Sequence, residues 1–453
     1  MWCISSKSYA AKGIAAFCWV TIIFMICLIG ILNLELLYPS SWPLLASGKS
    51  LVMPVAVGGS TDVHDFSLYY ASGCLNVLRL TKYPDIDVYD PNLLSYYVSQ
   101  PLAPFRSNHR FILEYPPFFI GILTPLTSVR IADAWLIWFV LGCIAFAFAI
   151  ALLFWGQPLN WMERFYFFVT SFGALTFFYN AKIGQTGAFI ALFVSLFFVL
   201  LKRERNFLTG LSFALCMLKL QYAPAFGILG LLLGKLNFFK GALLSGLLIL
   251  GFSIWSVGLQ HVPTFLTNIL IAESHTSSNY YGHIYIVMMD SFRGFLAYVG
   301  TPAVIVQILA STMVLVALAF IVYLWTYGFP YLKSRINWSF ELCASISIIL
   351  VLIFSMHCYS YDYLTETIPY IWLYVGLKTE KPIRLKQLFL LVALYMTPII
   401  GWLAFAFGYF ESAIPLHFLW SILLLATTFI AFGHLLFPAL IPSLRRQAAG
   451  EMT

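Results

Sequence analysis

Charge is scarce in this sequence. Only 9% of its 453 residues are Asp, Glu, Lys or Arg, 61% are hydrophobic, and the mean hydropathy is +0.88. A soluble domain is about one quarter charged and about half apolar, so that class is excluded. No G-x-x-x-x-G-K-[ST] loop or G-x-G-x-x-G fingerprint is present. A G-x-S-x-G nucleophile elbow and an H-E-x-x-H motif are missing too. ATP-driven transport and serine or zinc hydrolysis therefore lack support. Nor is there an internal repeat or the inverted symmetry common in transporters. Ligand spacing is absent among the cysteines: Cys3, Cys18, Cys27, Cys143, Cys216 and Cys343 lie in or beside apolar runs and read as small core residues. Cys74 and Cys358 fall on the external side of the topology below, and a disulfide between them stays open.

What the chain does have is apolar runs of membrane length. The reading is an all-α polytopic membrane protein. Gly13 to Leu32 follows Lys7 and Lys12 without a small-residue cleavage site, so it is read as a retained first helix. The net charge of +7 does not point to nucleic acid, because its placement is what topology produces. Assigning Lys7/Lys12, Arg164, Lys202/Arg203/Arg205, Lys235/Lys240, Lys333/Arg335, Lys378/Lys381/Arg384/Lys386 and Arg445/Arg446 to the cytoplasm predicts about twelve helices with both termini inside. They are expected near 13–33, 131–155, 163–180, 187–201, 207–219, 222–234, 238–258, 303–327, 338–356, 362–377, 387–407 and 415–437. Residues 34–130 and 259–302 become two external loops too long to be mere connectors. The first contains an amphipathic helix starting near Asp62. It also contains the apolar "YPPFFIGILTPL" at 115–126, which is too short to span and is expected to lie in the outer interface.

The polar groups that remain are few and clustered. In "STDVHDFSLYYASG", Asp65, Tyr69, Ser72, Asn76 and Arg79 recur at steps of three and four and make one helical face. Thr61 or Asp62 reads as a cap, and Asp65 reads either as a first-turn acid favoured by the macrodipole or as a catalytic carboxylate. His64 lies off that face. "NAKIGQTG" joins two helices externally and carries Asn180, Lys182, Gln185 and Thr186; it is a polar turn or a hydrogen-bonding loop facing a sugar or phosphate. "LKLQYAP" puts Lys219 at a turn between two short helices, where a lysine at membrane depth is tolerated if it lines a polar cavity. "SMHCYSYDYLTET" places His357 at an external helix end, followed by Asp362 and Glu366. There a histidine is structural or binds a phosphate oxygen. Arg293 in "MMDSFRG" is one of few external cations, a headgroup anchor or a phosphate ligand. Glu273, His275 and His283 match no compact ligand motif, so no metal is expected.

The ordered series "DFSLYYASG", "VYDP", "YPPFFIGILTPL", Ala134-Trp135, "GQTG" and "LKLQYAP" resembles the polyprenol-phosphate-mannose-dependent α-mannosyltransferases of glycosyltransferase family 87, in the GT-C superfamily. The resemblance implies one GT-C transmembrane domain over residues 1–453, with an active site on the external face of a bacterial inner membrane. It implies a polyprenyl-phosphate-linked sugar donor, most often mannose, a lipid or glycan acceptor, no cofactor, and an inverting transfer with Asp65 as general base. Donor phosphate binding would fall to His357, Lys182, Lys219 and Arg293. Sugar or acceptor binding would fall to Tyr69, Gln185, Asn180, Glu114, Tyr115 and Asp362. Thr186 stands where the family often has Asn, and "YA" separates Gln221 from Pro224 where the family often has proline sooner. Alternatives are a lipid-linked glycan flippase and another GT-C transferase of arabinofuranosyl or ligase type.

Overall fold

The computed structural model describes residues 56–57, 60–61, 65–99, 112–274, 289–380, 384–406 and 416–441. The predicted first helix at 13–33, Asp62, His64, His275, His283 and the Arg445/Arg446 cluster lie outside the described residues. The described chain is helical apart from a two-residue antiparallel pair, Ala56–Val57 with Ser60–Thr61. Helices suit an apolar solvent because every interior N–H and C=O is satisfied within the segment.

The first external region folds into α1 (Asp65–Thr81), α2 (Pro91–Ser99) and α3 (Pro117–Leu123), the last continuing as a 3₁₀ turn, Thr124–Ser128. α1 packs on α3 and on that turn. Its polar face does not look at solvent. Tyr69, Ser72 and Asn76 are buried, Asn76 Nδ2 donates to Thr124 Oγ1 at 2.8 Å, and Arg79 donates to the Ser256 carbonyl at 2.7 Å. Thus the period-3.6 polar stripe is an inward face, packed against protein.

α4 (Ile131–Phe154) follows, then α5 (Trp161–Gly173) and α6 (Leu175–Ile183). The sequence predicts one helix over the last two; they break where Ala174 turns extended at φ −66°, ψ 142°. α7 (Gly187–Lys202), α8 (Asn206–Cys216) and α9 (Ala223–Ser256) come next. α9 is the predicted pair of helices, divided at Lys235 with φ 49°, ψ −138°. Small residues let α8 and α9 touch backbone to backbone. A Cβ on Gly210 would meet the Phe238 carbonyl oxygen at 2.2 Å, and one on Gly241 would meet that of Phe207 at 2.0 Å.

α10 (Val262–Ser274) and α11 (Phe292–Tyr298) precede α12 (Ala303–Tyr323), which runs through a π turn, Leu324–Gly328, into α13 (Phe329–Lys333). α14 (Ser339–Phe354) is buried on nearly every side and forms the centre of the bundle. A 3₁₀ turn, Ser360–Glu366, leads to α15 (Thr367–Thr379), and α16 (Leu385–Ala406) and α17 (Leu416–Leu440) complete the described chain.

Among the described residues, four helical stretches are long and apolar enough to cross a membrane: Asp133–Phe154, Leu220–Ser256, Ala303–Lys333 and Leu416–Leu440. Phe148, Leu248, Val304 and Leu315 stand exposed on them. Apolar surface of that extent faces lipid rather than water.

Two ion-pair sites mark one end of the bundle. Lys202 at the C-terminus of α7 pairs with the buried Glu341 at the N-terminus of α14, and Gln157 donates to the same carboxylate at 3.1 Å. Glu163 closes a capping box with Asn160 at the start of α5 and receives Lys378 at 2.6 Å. α7 and α14 each have 16 residues, so their other ends lie roughly 24 Å away. Those other ends carry Gln185 and His357.

Cys74 and Cys358 are both free thiols, so the pairing left open above is absent.

Candidate active site

The α6–α7 loop anchors the site. Gly184 ends α6 in the left-handed region, φ +72°, and Phe66 packs so closely on it that a Cβ there would lie 2.5 Å from the Phe66 Cβ. The Trp138 indole N–H donates to the Gly184 carbonyl at 2.9 Å, and the Gln185 N–H donates to the Asn180 carbonyl at 2.9 Å. The loop and the first turn of α1 are thereby fixed against each other.

This places the Gln185 side chain between three groups. Its Nε2 donates to Asp65 Oδ2, and its Oε1 accepts from Tyr69 and Tyr115, each at 2.9 Å. Tyr115 Oη also meets Thr186 Oγ1 at 3.1 Å. Tyr69, Tyr115 and Phe119 pack as an aromatic triad with centroids 4.7 to 5.1 Å apart.

The α8–α9 turn supplies a cation. Lys219 is extended (φ −122°, ψ 102°), and its ammonium lies 2.8 Å from Asp362 Oδ1 and 4.6 Å from the centre of the Tyr361 ring. Both partners of the pair are buried, the arrangement a charge needs away from water. Asp362 also holds its own turn, accepting from the Tyr359 N–H at 3.1 Å. Tyr222 Oη and Thr365 Oγ1, 3.2 Å apart, tie the same two segments again.

A second acid–base pair stands beside them. His357 Nε2 lies 3.4 Å from Glu114 Oε2, with 19% and 27% of the side chains exposed. Burial pushes the Glu114 carboxyl up to about 7, against the pull of Lys219 and Arg293. Arg293, in the first turn of α11, is buried and donates to the Met356 carbonyl at 3.0 Å. Tyr359 and Tyr361 sit at the crossing point. Burial raises both phenols, and the Asp65 and Asp362 carboxylates act on each, with Glu114 adding to Tyr359.

The structure thus gathers Asp65, Tyr69, Glu114, Tyr115, Gln185, Lys219, Arg293, His357 and Asp362 into one neighbourhood. Two expected members stand differently. The Lys182 ammonium lies over the Phe178 ring at 5.7 Å, whereas the cations that bear on Glu114 are Lys219 and Arg293. Asn180 is buried behind the loop, lining with Trp138, Gly184 and Gln185 a cavity of about 10 Å³, no more than one water. Thr186, expected in the polar loop, and Tyr359 and Tyr361, expected only as neighbours of His357, also belong to the site. A larger cavity, about 30 Å³ between Thr170, Ser171, Glu366 and His417, shares no lining residue with this group.

A model of glycosyltransferase family 87 matches residues 111–355, just over half of the chain. The chain belongs to glycosyltransferase family 87. It is therefore a membrane glycosyltransferase. The family 87 match spans Glu114, Tyr115, Gln185, Lys219 and Arg293; Asp65, His357 and Asp362 lie beyond it and join the site through geometry. No curated protein and no solved structure matches the chain.

Proposed function

We propose that this enzyme transfers a hexose, mannose in the first instance, from a polyprenyl-phosphate-linked donor to a hydroxyl of a lipid or glycan acceptor, with Asp65 as general base. The observation that carries the reading is a juxtaposition. Asp65 is joined through Gln185 to Tyr115, the neighbour of Glu114; Glu114 pairs with His357, whose ring packs 5.0 Å from that of Tyr359, and Lys219 pairs with Asp362 on the same turn. A glycosyl transfer from a lipid phosphate needs such a pairing of a base with cations.

Asp65 takes the proton of the acceptor hydroxyl as its oxygen attacks the anomeric carbon. The bond from that carbon to the phosphate oxygen breaks, and its electron pair leaves with the phosphate. A monoanionic diester becomes a dianionic monoester. His357 and Arg293 stabilise the added charge, with Lys219 held close by. Direct displacement converts a β-linked donor into an α-linked product. The fold is read as GT-C with about twelve crossings. The cationic turns, with the Lys202–Glu341 end, face the cytoplasm of a bacterial inner membrane, and the site faces outward.

Supplying purified enzyme and a membrane lipid extract with polyprenyl-phosphate mannose, glucose or arabinofuranose tests the donor. Transfer of mannose ahead of the others is expected. Transfer from none of them would overturn the lipid-phosphate reading.

A further inference from the structure

We infer that Gln185 is a positioning residue for Asp65 rather than a ligand of sugar or acceptor, held in a single orientation by a one-way chain of hydrogen bonds. This deepens the proposed function and rests on Asp65 being the base.

The direction of the chain follows from which atoms can donate. An ionised carboxylate only accepts, so the amide group facing Asp65 must be NH₂. The Gln185 carbonyl oxygen then faces Tyr69 and Tyr115 and accepts from both, each at 2.9 Å. Tyr115 has given its proton to Gln185, so toward Thr186, 3.1 Å away, it can only accept. Thr186 therefore donates. Every bond in the series points the same way, from Thr186 through Tyr115 and Gln185 to Asp65, with Tyr69 joining at the amide. Such series strengthen one another. Reversing the amide would turn a carbonyl oxygen toward the carboxylate, two acceptors face to face.

Burial supports this assignment over direct ligation. Gln185 and Thr186 are buried, as is Tyr69, and both polar atoms of the Gln185 amide are engaged inside the protein. An incoming sugar would have to break this arrangement to reach it. The chain also gives Thr186 a task that its hydroxyl performs.

The amide N–H favours the charged form of Asp65. Among the described residues, Asp65 acts on Tyr69 of α1 and on Tyr359 and Tyr361 of the turn after α14; Tyr115 before α3 and Asp362 act on Tyr69 and Tyr361 as well. Glu114 and His357 adjoin Tyr359.

The test is the pH dependence of transfer in Gln185→Glu, with kcat and the KM for the lipid-phosphate sugar measured separately. A second carboxyl beside Asp65 should move the acid limb upward by about one unit or more. At neutral pH kcat should fall roughly ten- to a hundredfold, within the range general-base catalysis supplies, while KM stays within about threefold, as for a group that acts on the chemical step. If Gln185→Glu does not fold, Tyr69→Phe with Tyr115→Phe unlocks the amide and should shift the limb in the same direction by less. A KM raised about tenfold with the acid limb unmoved would make Gln185 a substrate ligand and overturn the inference. Asp65→Asn separates the two claims. Normal transfer in Asp65→Asn defeats the base assignment itself. An inert Asp65→Asn with an unmoved limb in the Gln185 variants defeats only the positioning role.

Discussion

The Lys219 ammonium lies 2.8 Å from Asp362 Oδ1, with both side chains almost wholly buried. The pair joins the α8–α9 turn to the turn after α14, two segments about 140 residues apart in sequence that frame the site. Breaking it leaves a lone charge away from water, at a cost of about 3–5 kcal/mol. Lys219→Met and Asp362→Asn should each lower the detergent melting temperature sharply. The double variant Lys219→Met/Asp362→Leu should recover most of the loss. A single variant as stable as the parent would show that the pair does not hold the two turns together.

Glu114 supplies a pH signature. Its carboxyl is raised from 4.5 to about 7 by burial. The folded protein therefore holds that proton more tightly than the unfolded chain. The resulting stabilisation is full below about pH 4.5 and is lost as pH rises to about 7, on the order of 3 kcal/mol in all. Glu114→Gln cannot lose a proton. Melting temperatures of the two proteins compared from pH 4 to pH 8 should draw apart, with the variant ahead at the alkaline end. Parallel curves would contradict the raised value.

The α8–α9 contact is backbone against backbone. A methyl on Gly241 would reach the Phe207 carbonyl oxygen at 2.0 Å, and no side-chain rotation relieves that. Gly241→Ala should cost about 1–3 kcal/mol and displace the hairpin that carries Lys219. Thermal unfolding together with transfer activity reports both effects. Gly246, whose Cβ position is open, is the control: Gly246→Ala should be neutral.

Much of this arrangement can be traced to particular residues in the sequence. The apolar run from Ile131 and the start of α7 at Gly187 fall where expected, because a membrane span is set by length and hydropathy alone. Lys235 and Lys240 announced the break in α9, since a cationic turn divides two apolar runs. Ala174 gave no such signal. The break between α5 and α6 has neither proline nor charge, and Gly173 alone marks it locally. The inward direction of the polar face of α1 is not legible locally. Periodicity shows that Tyr69, Ser72 and Asn76 share a face, but not whether water or protein covers it. The site followed the same division. Asp65, Lys219 and His357 stand out because charge is rare in apolar surroundings. Tyr359 and Tyr361 are two among 26 tyrosines, and only their place between His357 and Asp362 sets them apart. The hydrogen bond between Gln185 and Asp65 needs the three-dimensional meeting of α1 with the α6–α7 loop.

The most direct measurement is the transfer of labelled mannose from polyprenyl-phosphate mannose to extracted membrane lipid by Asp65→Asn, in a preparation whose melting temperature and donor binding match the parent. Loss of transfer by about a hundredfold or more, with donor affinity retained, is the predicted result for a missing general base. Transfer at the parental rate would contradict it.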